Sequence, residues 1–241
     1  MVITMKIIID TPENIAKAAA IYYVALLREK PGAVLGFATG STPLGLYGEL
    51  ARLCKAGEIS FQKAKTFNLD EYAGMKGTEE QSYRRFMDEN LFSKIDIDRA
   101  NTHVPSGTDI GAAPLYDEVI GKAGGIDLQL LGIGNDGHIG FNEPGTPFGS
   151  ITHRVELTEM TRQANKRFFN SIGEVPTHAV TMGIKTVMNA KKIILIALGE
   201  GKADIIAKAL SGDVTPEVPA SVLQLHPFVE VFLDQAAAEK L

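Results

Sequence analysis

Asp136, His138 and Glu143 fall within one glycine-rich stretch, Leu131-Gly-Ile-Gly-Asn-Asp-Gly-His-Ile-Gly-Phe-Asn-Glu-Pro144. A histidine between two carboxylates can be fixed in one tautomer, and an oriented imidazole can accept a proton from one oxygen and return it to another. The rival use of such a set is to bind a divalent cation. One histidine with scattered carboxylates lacks a recognisable ligand spacing, so no metal is expected. A second acidic pair, Asp70 and Glu71, sits in Thr66-Phe-Asn-Leu-Asp-Glu-Tyr72. A carboxylate at the end of a strand is held still and can face a ligand as a general base. In extended chain the two point to opposite sides, so only one would serve. A solvated acidic turn is the plainer alternative.

Anion chemistry has its own candidates. In Phe37-Ala-Thr-Gly-Ser-Thr-Pro43 a strand runs through Gly40, Ser41 and Thr42 into a helix opened by proline. Free N–H groups and the positive helix end make such a turn an anion seat, phosphate above all. The loop has neither the glycine spacing of a dinucleotide fingerprint nor the lysine of a P-loop, and a capped turn without ligand fits it equally. Lys202, in the first turn of a helix after Gly199-Glu-Gly, and Arg167, on a helical stretch with Arg162, are the cations suited to phosphate oxygens. Solvated helix charges are the alternative for both. His103, His153, His178 and His226 lack partner patterns and are expected to be structural or surface residues.

The elements that must position these groups alternate between strand and helix. Apolar strands are expected at 6–9, 34–38, 65–69, 127–131, 192–198 and 228–233. Helices are expected from Thr11-Pro12-Glu13 towards Lys30, and at 46–55, 81–92, 109–122, 161–170, 183–189 and 201–210. This alternation predicts an α/β fold: one domain over 1–241, with a mainly parallel open sheet flanked by helices, a three-layer sandwich of modified Rossmann type. Ligands in such folds bind outside the carboxyl ends of the strands. Every motif loop follows an expected strand, so all should converge on one site.

Composition narrows the function. The 241 residues are 45% hydrophobic and 22% charged, as in an ordinary globular domain. A net charge of −5 gives no basic surplus for nucleic acid. The single cysteine, Cys54, excludes an internal disulfide and a cysteine zinc cluster. No signal peptide or apolar run of roughly 20 residues is present, so a cytoplasmic protein without membrane contact is expected.

Phe67-Asn-Leu-Asp-Glu-Tyr72, Gly134-Asn-Asp-Gly-His-Ile-Gly-Phe-Asn-Glu-Pro144 and Thr39-Gly-Ser-Thr-Pro43 together resemble the signature loops of the glucosamine-6-phosphate deaminases. Arg162-Gln-Ala-Asn-Lys-Arg-Phe-Phe169 and Leu223-Gln-Leu-His-Pro227 are similar to later segments of that family. The likeness runs from about residue 6 to 233. It implies conversion of glucosamine 6-phosphate and water to fructose 6-phosphate and ammonia, without a cofactor. By the resemblance Asp70 matches the base that moves the C2 proton, and His138 the group that opens the ring. Asp136 and Glu143 match the partners of His138. Gly40, Ser41, Thr42, Arg167 and Lys202 match positions around the phosphate.

One segment departs from the pattern. Regulated members carry an activator site for N-acetylglucosamine 6-phosphate and a longer C-terminus. Here Gly145 to Glu156 lacks the basic pattern expected there, and the chain stops soon after Leu233. An unregulated enzyme is expected, a monomer in preference to a homo-oligomer. Whether 145–154 closes as a lid over the sugar or forms an ordered turn stays open. The competing readings are a 6-phosphogluconolactonase, which has no use for Asp70 as a carbon base, and a non-catalytic sugar-phosphate sensor.

Overall fold

The computed structural model describes residues 5–241. In chain order its regular elements are β1 (Lys6–Ile9), α1 (Pro12–Glu29), β2 (Val34–Phe37), α2 (Leu44–Lys55), β3 (Lys65–Asn68), β4 (Asp70–Tyr72), α3 (Tyr83–Met87) and β5 (Thr102–His103). They continue with α4 (Ala113–Lys122), β6 (Leu128–Leu131), β7 (His153–Glu156), α5 (Glu159–Asn165), β8 (His178–Thr181) and α6 (Ile184–Met188). The last three are β9 (Ile193–Ala197), α7 (Ala203–Ser211) and β10 (Val229–Leu233).

Seven strands form the expected parallel sheet, in the order β1-β10-β9-β6-β2-β3-β5. The interior strand β9, Ile-Ile-Leu-Ile-Ala, is buried along its whole length, which is why it reads as a continuous apolar run rather than an alternation. Helix α1 opens as expected: Thr11 caps it by accepting the Asn14 N–H, and Pro12 follows. Its stripe of Ile15, Ala19, Tyr23 and Leu27 is buried at helical spacing. Each large apolar side chain so buried contributes about 1.5–3 kcal/mol. No helix of the described residues is long and apolar enough to cross a membrane.

The order of the sheet reverses between β2 and β6. From β2 the chain builds outward through β3 to β5, then returns to lay β6 on the other side of β2. The motif-bearing strands β9, β6, β2 and β3 are four consecutive neighbours around this switch point, so their carboxyl-end loops meet there.

A second sheet was not foreseen. Strands β4, β8 and β7 pair antiparallel. Asp70 therefore lies in a strand of this sheet and not in a loop after β3. His153 opens β7 and His178 opens β8. Three expected helices are shorter. The 161–170 stretch is α5 followed by a 3-10 turn at Lys166–Phe168, 81–92 is α3 followed by a π-turn at Asp88–Phe92, and 109–122 begins with a 3-10 turn at Ile110–Ala112. None of His103, His153, His178 and His226 lines the cavity described below: His226 is buried with Nε2 2.8 Å from the Ala190 carbonyl oxygen, and His103 stacks on Phe67.

The β2–β6 pair makes a testable demand. Gly36 lies opposite Gln129, and a Cβ on Gly36 would collide with the buried Gln129 amide. The Gly36→Ala variant should lose about 1–3 kcal/mol of stability through overpacking. Combining it with Gln129→Ala should restore part of that loss in urea denaturation, whereas strictly additive costs would contradict the steric account.

Candidate active site

A cavity of about 660 Å³ opens at the switch point. Asp70, Asp136, His138, the Gly40–Thr42 turn, Arg167 and Lys202 all line it. Glu143 is absent from the lining and stands behind His138. Segment 145–154 does not line the cavity either. It is an ordered connection, with the Gly145 N–H bonded to the Pro216 carbonyl and the Thr152 N–H to Asp117, and its end belongs to β7. Met160, Phe168 and residues of the 80–86 segment line the cavity instead.

The β6 loop delivers the candidate acid–base group, His138. His138 Nδ1 is buried, 2.7 Å from Asp136 Oδ1 and 3.7 Å from Glu143 Oε2. Both carboxylates thus address one ring nitrogen, which leaves Nε2 as the nitrogen available to the cavity. Neither Nδ1 nor Glu143 Oε2 has a well-aligned hydrogen bond, the loose geometry that unliganded acid–base sites commonly tighten on binding. The loop is held from outside by Asn142, whose Nδ2 donates to the Ile139 and Met182 carbonyls, and by Thr181 Oγ1, which accepts the Phe141 N–H. Asp136, His138 and Glu143 are also the group of three among the described residues whose ligand atoms, all within 4.8 Å, are spaced for a cation. That use would withdraw both carboxylates from orienting the ring.

Asp70 reaches the cavity because of how the chain changes sheets. Leu69 donates its N–H to the Phe37 carbonyl of β2 and accepts the Met182 N–H beside β8. Asp70 then pairs with Thr181 in the second sheet. Alternation sends the neighbouring Glu71 away from the cavity, where its carboxylate accepts the N–H groups of Tyr72, Tyr83 and Arg84. Of the pair, Asp70 lines the cavity and Glu71 does not.

Electrostatics separates the carboxyls. Burial, and secondarily the Glu71 charge, pushes Asp70 up to about 8. Burial also acts on Asp136, but its contacts with His138 outweigh it and hold that carboxyl below the usual range. For Glu143 burial prevails over the Thr161 and His138 interactions, and its pKa is raised. At the cationic end, burial lowers the Lys202 ammonium, with Asp136 opposing and Arg167 adding. Lys202 Nζ donates to the Ile133 carbonyl at 2.7 Å and to Asn135 Oδ1 at 2.6 Å. Arg167 lies over the Phe168 ring. Arg162, by contrast, is spent on the Ile172 and Val175 carbonyls and on Glu159. The N–H groups of Gly40, Ser41 and Thr42 donate to nothing among the described residues, and Gly40 (φ +92°) adopts the left-handed conformation that the turn requires.

Sequence reasoning missed two supports. Asp234, just after β10, accepts the Gly199 N–H with both oxygens and so braces the turn that presents Lys202. Asn135 anchors Lys202 directly. An aspartate immediately after a strand was the available signal for the first, and the motif itself for the second.

A parallel α/β sheet with an oriented histidine, a buried carboxyl and two cations around one cavity is a doubly wound fold with the groups that acid–base chemistry on an anionic ligand would use. Residues 10–231 match the model of the glucosamine-6-phosphate isomerases/6-phosphogluconolactonase family, and the chain belongs to that family. It is 55% identical over 231 residues to a glucosamine-6-phosphate deaminase of Lachnoclostridium phytofermentans, covering 94% of this chain and 98% of the relative. It is 48% identical to a glucosamine-6-phosphate deaminase of Clostridium botulinum, covering 98% of each. The solved structure of a monomeric glucosamine-6-phosphate deaminase superposes with a TM-score of 0.96 at 44% identity, over 98% of this chain and 100% of that one. A 6-phosphogluconolactonase from Leishmania guyanensis shares the fold, at TM-score 0.76 and 18% identity over 99% of both chains.

Gly134 offers a clean probe of His138. Its φ is not left-handed, so alanine is acceptable to the backbone, but an added Cβ would strike the imidazole ring. Gly134→Ala should lower kcat/KM by about 10²-fold through misplacement of the ring, with little change in Tm. Full activity would show that the ring position is unimportant.

Proposed function

We infer that the chain is a glucosamine-6-phosphate deaminase, converting glucosamine 6-phosphate and water to fructose 6-phosphate and ammonia. The observation that carries this reading is that a buried carboxyl, Asp70, and an oriented imidazole, His138, line one cavity. Lactone hydrolysis needs the second but has no use for a base directed at carbon.

The phosphate rests on the N–H groups of the Gly40–Thr42 turn and on Arg167 and Lys202, which fixes the sugar in register with the acid–base groups. His138 takes the proton of the C1 hydroxyl and returns one to the ring oxygen, opening the pyranose. Asp136 and Glu143 hold the ring and balance the charge it acquires. Asp70 then removes the C2 proton, which the C1 carbonyl has made acidic; the electron pair forms the C1–C2 double bond while the C1 oxygen takes a proton from the C2 ammonium, giving an enolamine. The same carboxyl redelivers the proton at C1, giving a ketimine at C2. Water adds to that carbon, ammonia leaves, and the ketone remains. The enzyme works as a monomer without an activator.

Purified protein should release ammonia promptly from glucosamine 6-phosphate and leave 6-phosphogluconolactone alone. Asp70→Asn should lower the rate by about 10²- to 10⁴-fold. Rapid lactone hydrolysis without ammonia would move the protein to the lactonase reading, and sugar-phosphate binding without turnover to a sensor. The base acts ionised, so kcat/KM should climb as pH rises through about 8. A profile flat across that range would contradict the role of Asp70. Initial rates should be linear in low substrate and unchanged by N-acetylglucosamine 6-phosphate, whereas sigmoidal rates abolished by that compound would overturn the monomeric, unregulated reading.

A further inference from the structure

Glu71 is 2% exposed, and its carboxylate is given entirely to backbone. Oε1 accepts the N–H groups of Tyr72 and Tyr83, both at 2.9 Å, and Oε2 accepts that of Arg84 at 3.0 Å. Three donors on two oxygens call for the ionised, acceptor-only form. Burial raises the Glu71 carboxyl, and the three N–H groups oppose that rise. Tyr83 and Arg84 open α3, while Ser82 Oγ accepts the Arg85 N–H. Ser82, Tyr83 and Phe86 are cavity wall. One buried side chain therefore ties that wall to the strand bearing Asp70.

Glu71 is also the one charge with a resolved effect on Asp70. The other titratable groups close to Asp70 are phenols: Tyr47 on α2, Tyr72 on β4, Tyr83 on α3 and Tyr116 on α4. Burial raises all four, so they are neutral near pH 8. Asp136, His138, Arg167 and Lys202 share the cavity, with Glu80 and Glu89 in its wall. Glu79 is the charged group that faces Glu71.

We propose that Glu71 is a positioning residue of this site, fastening the 82–84 wall to the strand that carries Asp70 and holding a negative charge one residue from that carboxyl. The inference rests on Asp70 being the carbon base. A neighbouring negative charge keeps the Asp70 proton more tightly bound and so makes its carboxylate the stronger base.

The pH profile of kcat/KM for ammonia release separates this role from a merely structural one. Glu71→Gln removes the charge at nearly constant size. Its acid limb should move to lower pH by about one unit, and its plateau kcat should fall. Glu71→Asp keeps the charge but is too short to reach the Arg84 N–H. Its limb should stay in place while KM rises several-fold. A Glu71→Gln limb coincident with that of the parent would overturn the proposal, as would a Glu71→Asp limb displaced like the glutamine variant's. Should the glutamine variant not fold, an unchanged KM in Glu71→Asp would overturn it alone. Undiminished activity of Asp70→Asn would instead remove the base assignment itself, a failure distinguishable from an unmoved limb in Glu71→Gln.

Discussion

The peptide of Leu69 is the joint on which the site depends. Its N–H belongs to the parallel sheet through Phe37, and its carbonyl belongs to the antiparallel sheet through Met182. A chain that left β3 into an ordinary loop would put Asp70 in solvent. Here the next residue is captured by β8, and its side chain is directed into the cavity among buried phenols. A carboxyl held there without a hydrogen-bond donor among the described residues is a cost to stability. Folds tolerate such costs where chemistry requires them.

From that joint follows the division of labour among three carboxyls. Asp136 is stabilised as an anion by His138, Asp70 is destabilised as an anion by burial, and Glu143 is buried behind the ring. Groups of one chemical type thereby acquire separate protonation behaviour within one cavity, which is how acid and base assignments are commonly set. The same cavity carries cations and free N–H groups, and Lys202 is braced by Asn135 directly and by Asp234 through the turn that presents it.

Much of this was legible from residue types and spacing. The parallel strands are short apolar runs, the site loops follow them directly, and their convergence is a property of doubly wound sheets. The second sheet was not legible. Its strands, Asp-Glu-Tyr, His-Arg-Val-Glu and His-Ala-Val-Thr, are three or four residues long and mostly polar. β4 meets β8 across more than a hundred positions and β7 meets it across more than twenty, so no local signal marks them. The supporting roles of Glu71 and Asp234 were hidden for the same reason: each depends on which distant N–H groups arrive beside it. Glu143 was legible as a partner of His138, but its place behind the ring rather than in the cavity lining needed the loop's three-dimensional path. The 161–170 helix ends early because the chain passes into a 3-10 turn at Lys166, which carries Arg167 to the cavity.

The central claim is that one buried carboxyl carries the proton from C2 to C1, shielded from water by its surroundings. The most direct measurement follows glucosamine 6-phosphate labelled with deuterium at C2 through single turnovers in ordinary water, with the position of the label in fructose 6-phosphate read by NMR. The account predicts that a measurable fraction of the deuterium appears at C1, because Asp70 at 6% exposure exchanges slowly with solvent. Complete loss of the label to water within the turnover would contradict a single sheltered carboxyl as the carrier.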